Sequence, residues 1–250
     1  MRVLNQTIDV DAVLNALERH ERIAFQLSGG RDSIAALFAM RAFWNRLTVY
    51  HLDTGDQFPE TRRVIAQVSR LLPVTRIESS SERFRDEVGL PSDVVPVDNL
   101  PFGRMVSGNP VKIVSRYDCC GAVLMLPLYQ RMVTDGITLV VRGQRDGDYT
   151  RAPIRSGQSD GTFEVLFPIQ HWADRDVDSF IHELKLPIGD FYKAGMSTTP
   201  DCMGCTAWWG EGRLSYLRRI HPQKHTEVVA KIALIKNEIG RQYNTIAQET

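Results

Sequence analysis

The sequence predicts an α/β fold: an open, mostly parallel sheet with helices on both faces and a C-terminal helical tail. Two observations carry this. Apolar runs of strand length, Arg22–Leu27 (RIAFQL), Leu47–Leu52 (LTVYHL) and Ile137–Val141 (ITLVV), alternate with segments of helical periodicity. These runs are apolar nearly throughout, not at every second position, as in strands covered on both sides. Composition agrees, because 43% hydrophobic and 24% charged residues are ordinary globular values.

Each element follows from a local pattern. Val10, Val13, Leu14 and Leu17 recur at helical spacing, with Asp9 or Thr7 placed to cap. After the first strand, Ser28-Gly29-Gly30 breaks the chain, and Ile34–Trp44 is apolar on nearly all sides, so that helix is expected to be buried. A helix over Glu60–Leu72 is stopped by Pro73, and Val74–Ile77 is a third strand. Gly89–Pro110 carries four prolines and little periodicity, which predicts a long surface loop. A helix from Cys120 to Val133 should kink or break at Pro127. Arg142–Gly161 reads as an exposed loop, whose Arg142, Arg145, Arg151 and Arg155 are either solvated or phosphate contacts. A strand at Val165–Pro168 and a helix at Arg175–Leu184 follow. The tail ends in a helix lined by Val228, Ile232, Ile235 and Ile239.

Thirty basic residues balance thirty acidic ones, which argues against a basic coat for non-specific nucleic-acid binding. No run approaches the roughly 18 apolar residues of a membrane span, and the start lacks a signal-peptide pattern. A soluble cytoplasmic protein with no membrane contact is the expectation.

SGGRDS, Ser28 to Ser33, stands between a strand and a helix, where open α/β sheets bind ligands. Gly29 and Gly30 allow a tight turn, and the helix N-terminus adds partial positive charge, so the loop suits pyrophosphate. Ser28 and Ser33 can donate hydroxyls, Arg31 can add charge if it points inward, and Asp32 can position Mg²⁺ or cap the helix. A plain Gly-Gly turn is the bland alternative. The Walker-type pattern is absent.

The four cysteines form an adjacent pair, Cys119 and Cys120, and a C-x-x-C pair, Cys202 and Cys205. Zinc sites usually take each pair from a spaced turn, which adjacent cysteines fit poorly. Four thiolates are also the complement of a [4Fe–4S] cube. Cluster, zinc and inert buried thiols stay open on spacing alone. Trp208 and Trp209 follow closely and could shield a cluster or stack on a base; His221 and His225 read as surface residues.

These motifs resemble a family. SGGRDS is similar to the PP-loop of N-type ATP pyrophosphatases. LDTGDQFPET, Leu52 to Thr61, resembles the segment after the second strand of phosphoadenylyl- and adenylyl-sulfate reductases. The resemblance implies an adenine nucleotide alpha hydrolase-like fold, with adenosine packing near Leu52, Asp53, Thr54 and Gly55. The cysteine pattern resembles that of the iron–sulfur adenylyl-sulfate reductases, which implies a [4Fe–4S] cluster on Cys119, Cys120, Cys202 and Cys205. GQRDGDYTRA, Gly143 to Ala152, is similar to the loop that contacts the anionic end of the nucleotide, which implicates Gly143 and Arg145. FPIQHWADRDVDSFIHELKLP resembles the stretch leading to the C-x-x-C. The likeness covers about Phe25 to Thr206, so 1–206 is expected to be one nucleotide-binding domain and 207–250 its helical extension.

Three departures shape the functional expectation. No Cys follows Cys205 to attack a sulfate sulfur, Leu124 stands where the family carries Lys, and SGGRDS is closer to the ATP-using loop. The leading reading is an ATP pyrophosphatase that adenylates an acceptor with Mg²⁺, with Asp32 and Arg145 as catalytic residues, and supports cluster-dependent sulfur transfer. It resembles components of DNA phosphorothioation systems and cluster-dependent RNA thiolases. A sulfonucleotide reductase using an external thiol, and a non-catalytic nucleotide-binding or redox-sensing subunit, are the alternatives. A sulfur donor protein of the cysteine desulfurase type is an implied partner. Nucleic acid as acceptor and a homo-oligomer are left open.

Overall fold

The computed structural model describes residues 8–108, 110–148, 154–196, 198, 201–210 and 212–249. Along the chain run α1 (Val10–Arg19), β1 (Ile23–Gln26), α2 (Arg31–Ala39), β2 (Leu47–Asp53), α3 (Pro59–Val68), β3 (Val74–Glu78) and α4 (Ser81–Glu87). Then come β4 (Leu90–Ser92), α5 (Pro101–Ser107), β5 (Ile113–Ser115), α6 (Arg116–Cys120) and α7 (Leu126–Thr134). The series closes with β6 (Leu139–Val141), β7 (Glu164–Leu166), α8 (Asp174–Leu184), α9 (Arg213–Ile220) and α10 (Pro222–Glu249).

The chain divides into two compact units. The first is 1–52, 59–77 and 128–190; the second is 53–58, 78–127 and 191–250. In the first unit five strands lie in the order β3-β2-β1-β6-β7, and β1–β2, β1–β6 and β6–β7 pair in parallel. Successive residues of a strand point to opposite faces, and both faces are covered. Ile23, Phe25, Val49, Leu139 and Val141 pack with Leu17, Ile34, Leu37, Val64 and Phe180 of α1, α2, α3 and α8. Ala24, Tyr50 and Val140 face the other way, against Met132 of α7, Ile137 and Phe163. The α/β sheet expected from the apolar runs is the fold observed.

Tyr50 is fully buried among these residues, yet its hydroxyl reaches the Asp135 carboxylate at 2.6 Å. Tyr50→Phe keeps the ring and removes the donor, so thermal unfolding should show a loss of about 1–2 kcal/mol. No loss of stability would mean that the bond adds nothing over hydration of both groups.

The structure changes several expected boundaries for local reasons. Asp9 is the cap of α1, its Oδ1 accepting from the Ala12 N–H at 2.9 Å, while Thr7 lies outside the described residues. The helix expected over Ile34–Trp44 ends at Ala39, and a 3₁₀ turn covers Arg41–Arg46. There Trp44 folds back and its indole N–H donates to the Leu37 carbonyl, supplying an end that the apolar run did not reveal. The break at Pro127 is real and takes the form of a π-helical turn over Gly121–Met125. Proline has no N–H for the carbonyl four residues earlier, and the Val123 carbonyl accepts instead from the Ser79 hydroxyl at 2.7 Å.

The segment 89–110 is not a loop. It holds β4, a 3₁₀ turn at Val97–Asn99 and α5, and β4 pairs in parallel with β5 as a separate two-stranded sheet. The second unit's apolar centre is formed by Phe58, Phe191, Met196, Tyr216, Leu217 and Val228. His221, expected at the surface, is half-buried there, with its ring 5.9 Å from that of Tyr216 and 6.1 Å from that of Phe58.

Candidate functional site

In the first unit β1 lies between β2 and β6, so the chain turns opposite ways on leaving its two central strands. That switch point, at the carboxyl ends of β1 and β6, is where such sheets open a crevice. SGGRDS leaves β1 there, and Arg142-Gly143 leaves β6 there.

The loop is braced by its own serines. The Ser28 hydroxyl donates to Ser33 Oγ at 3.0 Å and accepts from the Gly30 N–H at 3.2 Å. Ser33 Oγ also accepts from the Gly29 N–H at 3.2 Å and donates to the Gly30 carbonyl at 2.9 Å. Gly29 is the residue that must be glycine, with φ +85°; Gly30 caps α2 in an extended conformation at φ −77°. The first-turn amides and dipole of α2 therefore face the mouth of the turn. Gly143 makes the closest backbone approach: a Cβ there would stand 2.5 Å from the Asp32 carbonyl oxygen.

Arg145, read as part of an exposed basic loop, is only 6% exposed. Its Nε meets Asp32 Oδ1 at 2.9 Å, its Nη2 meets Asp174 Oδ1 at 2.9 Å, and its Nη1 donates to the Trp172 carbonyl at 3.3 Å. Arg31 turns to the start of α8, with Nη2 2.6 Å from Asp174 Oδ1 and Nη1 3.1 Å from Asp178 Oδ1. Burial raises the Asp32 carboxyl above its ordinary value, outweighing the pull of Arg145 and Arg31. The loop thus carries a guanidinium–carboxylate lattice in which Asp174 serves both arginines. Each of the two arginines already has two carboxylate partners. Arg155 is exposed, and Arg151 and 149–152 of the GQRDGDYTRA segment lie outside the described residues.

In the second unit the LDTG segment has a second task. Leu52 and Asp53 are the buried end of β2, and Asp53 Oδ1 accepts from the Gly55 N–H at 2.8 Å, with Gly55 at φ +77°. Thr54, buried, donates to the Asp201 carbonyl at 3.3 Å and accepts from the Cys202 thiol at 3.4 Å. Asp56 accepts from the Gly204 N–H and from Arg85 Nη2, both at 2.8 Å, and meets Lys224 Nζ at 3.3 Å. The turn after β2 is therefore fastened to the C-x-x-C turn.

All four cysteines lie in this unit, and all are free thiols. Cys119 and Cys120 end α6, and Cys205 is close enough that its charge acts on both. Burial pushes Cys119 up to about 12 and Cys120 up to about 11, and it raises Cys202 as well. Unligated, Cys119, Cys120 and Cys202 are protonated at neutral pH and are poor nucleophiles. The Thr54 hydroxyl is hydrogen-bonded to the Cys202 sulfur, and Trp208 hydrogen-bonds that of Cys120. Four soft donors thus lie in one unit. Among the described residues no group of three or more His, Cys, Asp or Glu side chains is placed to hold a metal ion.

Trp208 is held in a left-handed conformation, φ +60°, by an array that sequence reading missed. Asp93 accepts from the Trp208 and Trp209 N–H groups at 2.9 and 3.0 Å and from Arg116 Nη1 at 3.1 Å. Burial opposes ionisation of Asp93, but these donors hold its carboxyl below the usual range. The Arg116 guanidinium stacks 3.9 Å from the Trp208 ring centre. Only Arg116, one helical turn before Cys120, left a local sequence signal. Asp56, Arg85, Asp93, Asp174 and Asp178 come to these sites through tertiary pairing.

Residues 22–218 match the profile of the phosphoadenosine phosphosulfate reductase domain. The chain is 26% identical over 212 residues to an adenosine 5'-phosphosulfate reductase of Geobacillus kaustophilus, covering 78% of this chain and 83% of that protein. It is 24% identical over 225 residues to an adenosine 5'-phosphosulfate reductase of Pseudomonas aeruginosa, covering 80% and 77%. Among solved structures it is similar in fold to a phosphoadenylyl-sulfate reductase from Candida auris in a phosphate complex. That match has a TM-score of 0.54 at 14% identity, covering 76% of this chain and 86% of the other. No helix among the described residues is long and apolar enough to cross a membrane.

Proposed function

The chain belongs to the phosphoadenosine phosphosulfate reductase domain family, and on that premise we propose that it is an ATP pyrophosphatase supporting iron–sulfur-dependent sulfur transfer. The observation that carries this reading is the state of the four cysteines. They lie in one unit as free thiols, and burial raises Cys119, Cys120 and Cys202, which suits them to be ligands and not to attack sulfur.

In this reading Ser28–Ser33 and the first turn of α2 hold the nucleotide phosphates, and Leu52–Gly55 takes the adenosine. The acceptor's oxygen or nitrogen bonds to the α-phosphorus, the bond from that phosphorus to the bridging oxygen breaks, and pyrophosphate leaves with the electron pair. Arg145 and Arg31 exchange carboxylate for phosphate as the charge develops. Asp32 presents a hard oxygen that fits Mg²⁺, which when bound neutralises the departing phosphates. Cys119, Cys120, Cys202 and Cys205 would hold a [4Fe–4S] cluster, which supplies electron or sulfur chemistry. Thr54 and Trp208 hydrogen-bond the sulfur atoms of Cys202 and Cys120. A reducing cytoplasm suits such a set, and nucleic acid is the acceptor class that the resemblance raises.

The two bacterial relatives favour a second reading, a sulfonucleotide reductase that takes its thiol from another molecule. Incubation with ATP and Mg²⁺, in parallel with adenosine 5'-phosphosulfate or its 3'-phosphorylated form plus a thiol, separates the two. Pyrophosphate from ATP in the presence of an acceptor is the expected result. Sulfite from either sulfonucleotide would replace this proposal with the reductase reading. Tight nucleotide binding with neither product would make the chain a binding or redox-sensing subunit.

A further inference from the structure

Arg142, the first residue after β6, is a half-buried arginine with no anion set against it. Its Nε is shut off from water and meets no hydrogen-bond acceptor, and among the described residues its guanidinium forms no ion pair. Arg31, Arg85, Arg116 and Arg145 are also drawn into their units, and each of them holds a carboxylate. Burial pulls Arg142 below its ordinary value, and only Asp160 pulls the other way. Asp160 is itself exposed and already accepts from the Thr162 and Phe163 N–H groups, both at 2.8 Å. A guanidinium stays charged in a protein, so taking away part of its water without supplying an anion is costly. Such a charge marks a site whose anion arrives with a ligand.

The pleat of the sheet decides which way Arg142 faces. Val141 packs on the α2 and α8 side, and Val140 on the α7 side. The Arg142 N–H donates to the Leu166 carbonyl at 3.0 Å, which continues the β6–β7 ladder, so Arg142 falls on the side of Val140. Two neighbours agree. Asp160 is bonded to Phe163, a member of that side's apolar cluster. Gln26 follows Phe25, the register partner of Val141, and its side-chain amide donates to the Met132 sulfur at 3.5 Å on the same side. Gln26 and Arg142 thus stand at the carboxyl ends of adjacent strands, which are spaced about 4.8 Å apart. The Ser28–Ser33 loop runs into α2 on the opposite face. An anion at Arg142 is therefore not the pyrophosphate that the α2 amides would hold; it belongs to a second molecule. Donors on two strands suit a tetrahedral phosphate, which offers oxygens in more than one plane, whereas the guanidinium fork alone fills a planar carboxylate.

We propose that Arg142 and Gln26 form a second anion subsite, which takes a phosphate group of the acceptor on the face of the sheet away from α2. Resting on the nucleotide reading above, this subsite makes the acceptor a phosphate-bearing molecule. Calorimetric titration of inorganic phosphate into the full chain, with the Ser28–Ser33 loop first filled by α,β-methylene-ATP, tests it. A further phosphate is expected to bind. Arg142→Gln should weaken that phosphate about tenfold or more, as loss of a charge-assisted pair does, and leave the affinity for the analogue unchanged. Arg142→Lys, which keeps the charge without the fork, should fall between the two. No phosphate bound by the analogue-saturated wild type overturns the subsite, and so does equal phosphate affinity in wild type and Arg142→Gln. Lost affinity for the analogue itself in Arg142→Gln would place the guanidinium on the nucleotide and overturn it too. A wild type that takes up no analogue refutes the ATP reading alone. Phosphate titration of the free chain, wild type against Arg142→Gln, then decides the subsite by the same criterion.

Discussion

Cys202→Ser is expected to strip anaerobically prepared protein of iron and acid-labile sulfide, from about four of each per chain to near none. The Cys202 sulfur is held by the Thr54 hydroxyl, on a turn that Asp56 fastens through the Gly204 N–H. A serine there offers a harder oxygen on a shorter bond, and the surrounding hydrogen bonds would oppose the shift needed to reach iron. The fold should survive, because Ser is close to Cys in size and a hydroxyl partner is already present. Iron and sulfide analysis beside a circular dichroism melt separates cluster loss from unfolding. Stoichiometric zinc without sulfide in the wild type would sink the cluster assignment, and undiminished iron in Cys202→Ser would remove Cys202 from the ligand set.

Much of the sheet was legible because its strands are buried on both faces and so announce themselves as unbroken apolar runs. RIAFQL and LTVYHL gave β1 and β2 to within a residue or two. Segment 89–110 was not legible, for a physical reason. β4 and β5 are three residues each, too short for a periodic signal, and β4 contains Pro91. α5 shows its hydrophobic side to solvent and its arginine to the interior, which inverts the pattern that marks a surface helix.

Motif order singled out the SGGRDS loop and the cysteine pairs, but it could not place their supports. The sequence left Arg145 as either solvated or a phosphate contact, and only the structure shows Asp32 and Asp174 enclosing it. The family resemblance assigned Thr54 to the nucleotide. The structure adds that Thr54 and Asp56 also hold the C-x-x-C turn, a role that spacing alone does not encode.

Gly143→Ala is expected to be the most damaging single methyl group that can be added to the first unit's site. The new Cβ would lie 2.5 Å from the Asp32 carbonyl oxygen, 2.6 Å from its carbonyl carbon and 2.7 Å from the Ser33 nitrogen. All three atoms are backbone, so no side-chain rotation relieves the clash. Gly143 follows β6, a strand paired on both sides, and that strand has little room to retreat. The start of α2 must yield instead, displacing the amides that would receive the phosphates and the Asp32 carboxylate that engages Arg145. Overpacking of this kind costs about 1–3 kcal/mol of stability. Nucleotide affinity should fall at least tenfold, because phosphate recognition depends on the placement of those N–H groups. Gly147→Ala is the control: it lies on the same connection, and a Cβ there meets nothing within 4 Å. Calorimetric titration with ATP, at a temperature where both variants are folded, should find Gly147→Ala close to wild type and Gly143→Ala severely weakened. Equal affinity in the two variants would mean that the nucleotide phosphates do not sit on the Ser28–Ser33 loop.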